Sequence, residues 1–551
     1  SGCGELHRAK GRIHYQYGLQ QQEHLLFWDR AHKSYEDALQ FFGAQDFPEE
    51  RLEVIGELIQ VFLALEKIEE AKHLQREGLD LLNRLLSQAA ALSKKRYLAL
   101  KFTGFNQLTV DIKVKSGRIL EAWETAEEGK NICLKWLLWE QDLLVPRYDE
   151  AQQLLDPSTA VIYWHLSPSA LTTFLLKSDT LTPILVNSAS SSTGKIPESL
   201  DRLIKLENWV MAWDERYANY RDKGKTDVED KQSHPWRFSM EAALEDLKKL
   251  LCISEIEAEL SNINKLILIP HRDLHRFPLH VLFNEQFSIT YLPSVRVGLD
   301  LQKRSSIEPW QLQPLLNVDD PAVDGVDQMP YAQLESAVVQ KLFSTSVSIT
   351  REQATKAAVT EALENNYQVF HFTGHGEYNG DRPEMSQLGL ADGCLTATEI
   401  GRLNLSPYNL VTIAACETAL TGNQTMTTEY VGLVSAFLKA KVSHVLSTLW
   451  TVEEVSNAWI VIRFYQFLLE GVAPASALAR AQQWLRTITD ADLAAWLTKI
   501  SHLEGLDPLI KQDLEQQAYS LENSSTIALG GSVYSHPYYW AAFTLTGRGF
   551  L

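Results

Sequence analysis

Two apolar runs constrain this chain more than any other stretch, because each stops abruptly at a reactive side chain. Val369-Phe370-His371-Phe372-Thr373 leads into Gly374-His375-Gly376, and Leu410-Val411-Thr412-Ile413-Ala414-Ala415 leads into Cys416-Glu417-Thr418. Runs of that length, rich in β-branched and aromatic residues and flanked by helix-like segments, read as buried strands. Ligands collect beyond the carboxyl ends of such strands in an open α/β sheet. The separation of 41 positions from His375 to Cys416 leaves room for a crossover between parallel neighbours. The pattern predicts that both side chains reach one rim. A thiol beside an imidazole is the least that a cysteine nucleophile needs. A lone cysteine at a strand end is otherwise usually core, since free cysteine is among the most buried residue types.

The segments Phe372-Thr373-Gly374-His375-Gly376 and Ala414-Ala415-Cys416-Glu417-Thr418 resemble those of CHAT domains, caspase-like proteases often found with tetratricopeptide repeats. Further stretches fit in order: Leu266-Ile267-Leu268-Ile269-Pro270, Leu274-His275-Arg276-Phe277-Pro278-Leu279, Tyr291-Leu292-Pro293-Ser294, Gly432 to Leu438, Val445 to Trp450, and His536 to Phe543. The resemblance covers residues 155–551. It implies the wider fold of caspases, gingipains and separase, with a non-catalytic companion half ahead of the catalytic half. It also implies a cysteine endopeptidase in which Cys416 attacks as thiolate and His375 shuttles the proton. The amides of Gly376 and Cys416 then face the oxyanion, a role in which fixed donors lower the barrier by a few kcal/mol each. A caspase-type site needs no carboxylate third member, so neither Glu377 nor Glu417 is assigned one. No cofactor and no metal is called for. Related metacaspase-like sites select basic residues with an acid two positions before the nucleophile. Ala414 stands there, so that route is missing. By the same analogy Ser447 to Thr451 lines the substrate groove, with Trp450, Glu453 and Glu454 as its side chains.

The front of the chain reads differently. Over residues 5–155 apolar residues recur at three- and four-residue steps, the mark of helix. Ala38, Ala71 and Ala122 end three similar segments, and the first two are 33 residues apart, near the 34-residue tetratricopeptide period. The expected organisation is an α-helical repeat domain at 1–155, a companion α/β half at 156–310 and a catalytic α/β half at 311–551. The sheet is mostly parallel with helices on both faces. The helical domain offers a surface for an activating protein or complex. The competing reading is a repeat scaffold carrying an inert protease-like module. Some CHAT proteases serve bacterial immunity, including RNA-guided systems, but no residue here selects that biology.

Several features carry less. His271, His275 and His280 lie between Pro270 and Pro278 or just beyond, without the acids or thiols that would complete a metal set. The acidic stretch 319–327 lacks calcium-loop spacing and reads as a solvated turn. Cys394 reads as part of a turn, and His371 as a packed strand residue. Ser188 to Gly194 and Arg221 to Pro235 read as loops and as candidate processing sites. A formal charge of −19 opposes non-specific nucleic-acid binding. Five cysteines without a C-x-x-C pair suit a reducing compartment. No apolar run approaches a membrane span. The expected location is cytoplasmic. Ser1 rather than Met opens the chain, as a cleavage scar or a fragment would.

Overall fold

The computed structural model describes residues 2–20, 23–136, 143–186, 196–223, 233–303, 313–323, 325, 328–379, 382–414, 432–523 and 532–550. The front is helical, as its periodicity predicts. It runs α1 (Gly2–Gln20), α2 (His24–Phe41), α3 (Pro48–Ala64), α4 (Ile68–Gln88), α5 (Leu92–Lys101), α6 (Thr103–Lys115) and α7 (Ile119–Leu134). These pack in successive pairs, α1 with α2, α3 with α4 and α6 with α7. Ala38, Ala71 and Ala122 are all fully buried at these crossings, which is what a small side chain permits.

The rest of the chain is α/β. Its first part holds α8 (Tyr148–Ala151), β1 (Thr159–Leu166), β2 (Leu171–Lys177), β3 (Ile184–Val186), α9 (Glu198–Lys223), α10 (Pro235–Phe238), α11 (Met240–Leu250), α12 (Ile253–Ala258), β4 (Lys265–Ile269), β5 (Ser288–Tyr291) and α13 (Val295–Gln302). There follow β6 (Leu315–Asp319), α14 (Pro330–Leu342), β7 (Ser346–Thr350), α15 (Lys356–Leu363), β8 (Val369–Thr373), β9 (Gly376–Glu377), β10 (Gln387–Leu390), β11 (Gly393–Thr396) and α16 (Ala397–Ile400). The last part is β12 (Leu410–Ala414), α17 (Leu433–Lys439), β13 (His444–Thr448), α18 (Glu454–Leu469), α19 (Pro474–Thr487), α20 (Asp490–Ser501), α21 (Pro508–Glu522), α22 (Pro537–Trp540) and β14 (Phe543–Gly547).

Among the described residues one sheet of 11 strands runs in the order β3-β2-β1-β4-β5-β14-β13-β12-β8-β6-β7. It contains two parallel blocks. β1, β4, β5 and β14 run one way, and β13, β12, β8, β6 and β7 run the other. They meet where β14 lies antiparallel to β13. Sequence reasoning expected a companion α/β half followed by a catalytic α/β half, without joining them. The two share the sheet edge to edge, because β14, the last strand, joins β5 through the pair Thr546 and Tyr291. Both faces are covered. On β8, Phe370 packs on Phe437 of α17, while His371 turns to Tyr465 of α18 and Glu335 of α14.

The helical front sits on the carboxyl ends of β1 and β4. Buried Lys130 of α7 donates to the Pro270 carbonyl at 2.6 Å, and buried Glu127 accepts from the Arg296 amide at 2.8 Å. Among the described residues no helix is long and apolar enough to cross a membrane.

Candidate active site

The order β7-β6-β8 reverses direction between β6 and β8, which makes their carboxyl ends a topological switch point. Sheets of this kind bind ligands in the crevice outside such a point. The sequence reason is local: β6 and β8 are short, apolar and fully paired, then give way to polar and glycine residues. Register places Asp319 beside Thr373, and Ala414 of β12 on the other side of Thr373. The Asp320 amide donates to the Thr373 carbonyl at 2.8 Å and extends the pairing by one residue.

His375 follows Thr373 by two residues and is half-buried. Its backbone is pinned by a small sheet of β11, β10 and β9, in which the Gly389 amide donates to the His375 carbonyl at 2.8 Å. Gly374 belongs at the bend because a Cβ there would stand 2.9 Å from Pro321. The buried Nε2 of His375 has no hydrogen-bond partner among the described residues. Gly376, the second residue after the bend, opens β9. Cys416, with its amide, lies outside the described residues, within the stretch 415–431.

Among the described residues three carboxyl groups gather on this rim. Asp320 is buried and accepts from Arg351 at 2.7 Å, from Gln333 at 3.0 Å and from the Met329 amide at 3.2 Å. Burial first, and then the neighbouring carboxylates of Asp320 and Glu335, push the acid of Asp319 up to about 7, against the pull of Arg351. Glu454 opens α18. Burial raises its pKa, a backbone hydrogen bond opposes this, and the nearby charges of Asp320 and His375 act in opposite senses. So Glu454 and His375 lie within electrostatic reach of one another. The stretch read as a solvated turn therefore begins with two aspartates held at the sheet edge. The signal in the sequence was the apolar run Leu315 to Val318, which ends on acid as β8 ends on histidine.

The remaining expected residues divide. Trp450 is 2% exposed, its indole donating to the Tyr538 carbonyl at 3.1 Å beneath Trp213 and Trp236. Its ring packs in the core instead of facing an open groove, because α9 and α10 cover it. Glu453 is half-buried, and burial raises its pKa while Arg237 pulls it back. Cys394 lies within β11, not in a turn. His271 and His275 are buried, and burial drives His271 well below the usual histidine range. His280 is lowered to about 3 by the same cause and meets Gln482 at 3.1 Å. Ser188 to Gly194 and most of Arg221 to Pro235 lie outside the described residues.

His371 is a packed strand residue, as the sequence predicts, and its partners are what the structure adds. It is fully buried, with Nε2 3.2 Å from a Glu335 carboxylate oxygen and Nδ1 3.3 Å from the Tyr465 hydroxyl. Glu335 also accepts from Asn457 of α18 at 2.7 Å, and Tyr465 donates to Thr412 of β12 at 2.8 Å. This polar core ties β8, β12, α14 and α18 together directly beneath the rim.

Comparison with solved structures finds separase of Saccharomyces cerevisiae, crystallised with securin, at 12% identity and a TM-score of 0.48. The match covers 98% of this chain and 47% of that one, so the chain spans about half the length of the separase. The pro- and mature domains of RgpB from Porphyromonas gingivalis match at 10% identity and a TM-score of 0.29, covering 63% of this chain and 77% of that one. No curated protein matches the chain at a significant level. The family model of the CHAT domain matches residues 241–548, more than half of the chain, and the chain belongs to the CHAT domain family.

Proposed function

We propose that this chain is a cysteine endopeptidase using a dyad of Cys416 and His375. The observation that carries the reading is register within a CHAT domain. Thr373 and Ala414 are paired on neighbouring parallel strands, and His375 and Cys416 each follow two residues later in the sequence. His375 takes the thiol proton, and the thiolate adds to the scissile carbonyl. Amides of Gly376 and Cys416 hold the oxyanion. The imidazolium returns the proton to the departing amine as the C–N bond breaks. A water then adds to the thioester, giving its proton to His375, and the acid leaves as Cys416 regains its proton. The substrate is a protein, and the helical front end receives an activating partner.

Cys416→Ala and His375→Ala each abolish cleavage while the fold is retained, read by comparing cleaved protein termini from cells holding the parent and each variant. Undiminished cleavage by both variants sinks the reading. Labelling of Cys416 by a thiol-directed probe that His375→Ala suppresses separates this enzyme from an inert scaffold of the same fold.

A further inference from the structure

The chain beyond β13 is occupied in an unusual way. The Leu449 amide still donates to the Ala542 carbonyl at 2.9 Å, continuing the pairing with the β14 side of the sheet. Two residues later the backbone of Thr451 is met by tyrosine hydroxyls on both of its polar groups. Its N–H donates to the Tyr217 hydroxyl at 3.2 Å, and its carbonyl accepts from the Tyr538 hydroxyl at 3.3 Å. The Tyr538 hydroxyl accepts in turn from Tyr220 at 3.0 Å. The N–H and C=O of a single residue are the pair that an added strand bonds. Side chains from two distant parts of the chain take both.

The two capping tyrosines come from different elements. Tyr538 belongs to α22, which leads into β14. Tyr217 and Tyr220 belong to α9, a helix of 26 residues anchored elsewhere, with Arg276 bonding Asp214 at 2.9 Å through both carboxylate oxygens. The same helix reaches the helical front. Burial raises the Tyr15 phenol of α1, and the nearby carboxylate of Glu207 adds to the shift. Glu207 and Tyr217 are about 15 Å apart along the helix axis. The start of α9, at Ser199 and Leu200, lines a small cavity with Leu63 and Ala64 of α3 and Asp111 of α6, so one helix meets the front end and caps Thr451.

The geometry points to Tyr217 of α9 and Tyr538 as a cap on the backbone of Thr451, where the family resemblance already places the substrate, which stays closed until a polypeptide or a shift of α9 displaces the two hydroxyls. This rests on the endopeptidase reading, whose substrate Thr451 would align beside the dyad. A single hydroxyl–amide bond contributes little net free energy, so the cap attenuates entry several-fold and does not abolish it. A partner that moves the front end acts on Tyr217 directly and on Tyr538 through its bond from Tyr220.

Tyr217→Phe removes the hydroxyl and keeps the ring, which packs 4.8 Å from Trp236. The full chain is compared with this variant in two measurements. Amide hydrogen exchange at Thr451 is expected to speed up several-fold, and an unchanged rate overturns the cap. Cys416 is then labelled with acetyl-tetraalanine chloromethyl ketone, which offers mainly backbone, and separately with iodoacetamide, which needs no strand pairing. The ketone is expected to react several-fold faster in the variant and iodoacetamide at the same rate. Equal acceleration of both reagents, or of neither, overturns the inference. A Cys416 that takes iodoacetamide alike with and without His375, and never takes the ketone, defeats the endopeptidase reading and the substrate role of Thr451 with it. The exchange rate still reports separately whether the cap exists.

Discussion

Asp111 shows how a single residue can couple this fold to pH. It lies buried on α6, where it accepts the hydroxyl of Ser167 just past β1. Burial pushes its acid from near 3.8 to about 8, the Ser167 bond notwithstanding. From about pH 4 to pH 8 the folded chain holds a proton there that the unfolded chain has released. Stability is therefore highest below the unfolded pKa and falls as pH rises through the folded one. Asp111→Asn keeps the shape and the acceptor without the proton, so its stability should fall less across that window, measured as the urea midpoint against pH. His371 and Glu335 make the opposite case, a buried pair whose worth shows when one member goes. Glu335→Ala leaves Asn457 and His371 without their partner and should cost about 3 kcal/mol, read by urea unfolding. His371 was legible as a packed residue. Its partners were not, because Glu335 lies 36 residues upstream on a helix whose facing side the sequence does not settle.

At the scale of elements, the helical front holds a feature that apolar periodicity hides. Gly4, Gly11 and Gly18 recur at seven-residue steps on α1, opposite Phe42, Tyr35 and Trp28, which recur at the same step on or just past α2. A Cβ on any of the three glycines would stand under 3.0 Å from the facing ring. The helices approach as closely as they do because glycine leaves room for an aromatic face. Gly11→Val should therefore destabilise the α1/α2 pair by about 2 kcal/mol, seen as faster amide exchange in α1 while β8 and β12 keep their protection. Helix existence was legible here from spacing alone. Helix pairing depended on glycine, a residue that lowers helix propensity and argues against helix when read locally. The strands show the reverse: β1, β4, β8 and β12 were all readable as apolar runs, because both of their faces are buried.

At the scale of the whole molecule, β14 decides the architecture. It is the strand that closes two oppositely directed parallel blocks into one sheet. A chain ended at residue 523 would leave β5 and β13 with open edges, and such edges pair with other chains. That truncation should drive association, measured by light scattering at several protein concentrations. Gly547→Ala tests the same seam more gently. Its φ of +153° and a Cβ under 3.0 Å from the backbone of Ser443 and His444 leave no space for a side chain. A loss of about 1–3 kcal/mol should follow, with unfolding still a single transition that takes both blocks together.

The sequence by itself determined the family, the helical front, the strands of the large sheet and the two motifs that end in His375 and Cys416, because burial and backbone pairing leave their period in neighbouring residues. Only the tertiary structure decided that both blocks share a sheet, that Asp319 and Asp320 border His375, that Trp450 is covered, and that Tyr217 meets Thr451. Each of those rests on contacts between segments far apart in the chain, where packing and loop closure choose the partner and local composition carries no trace of it.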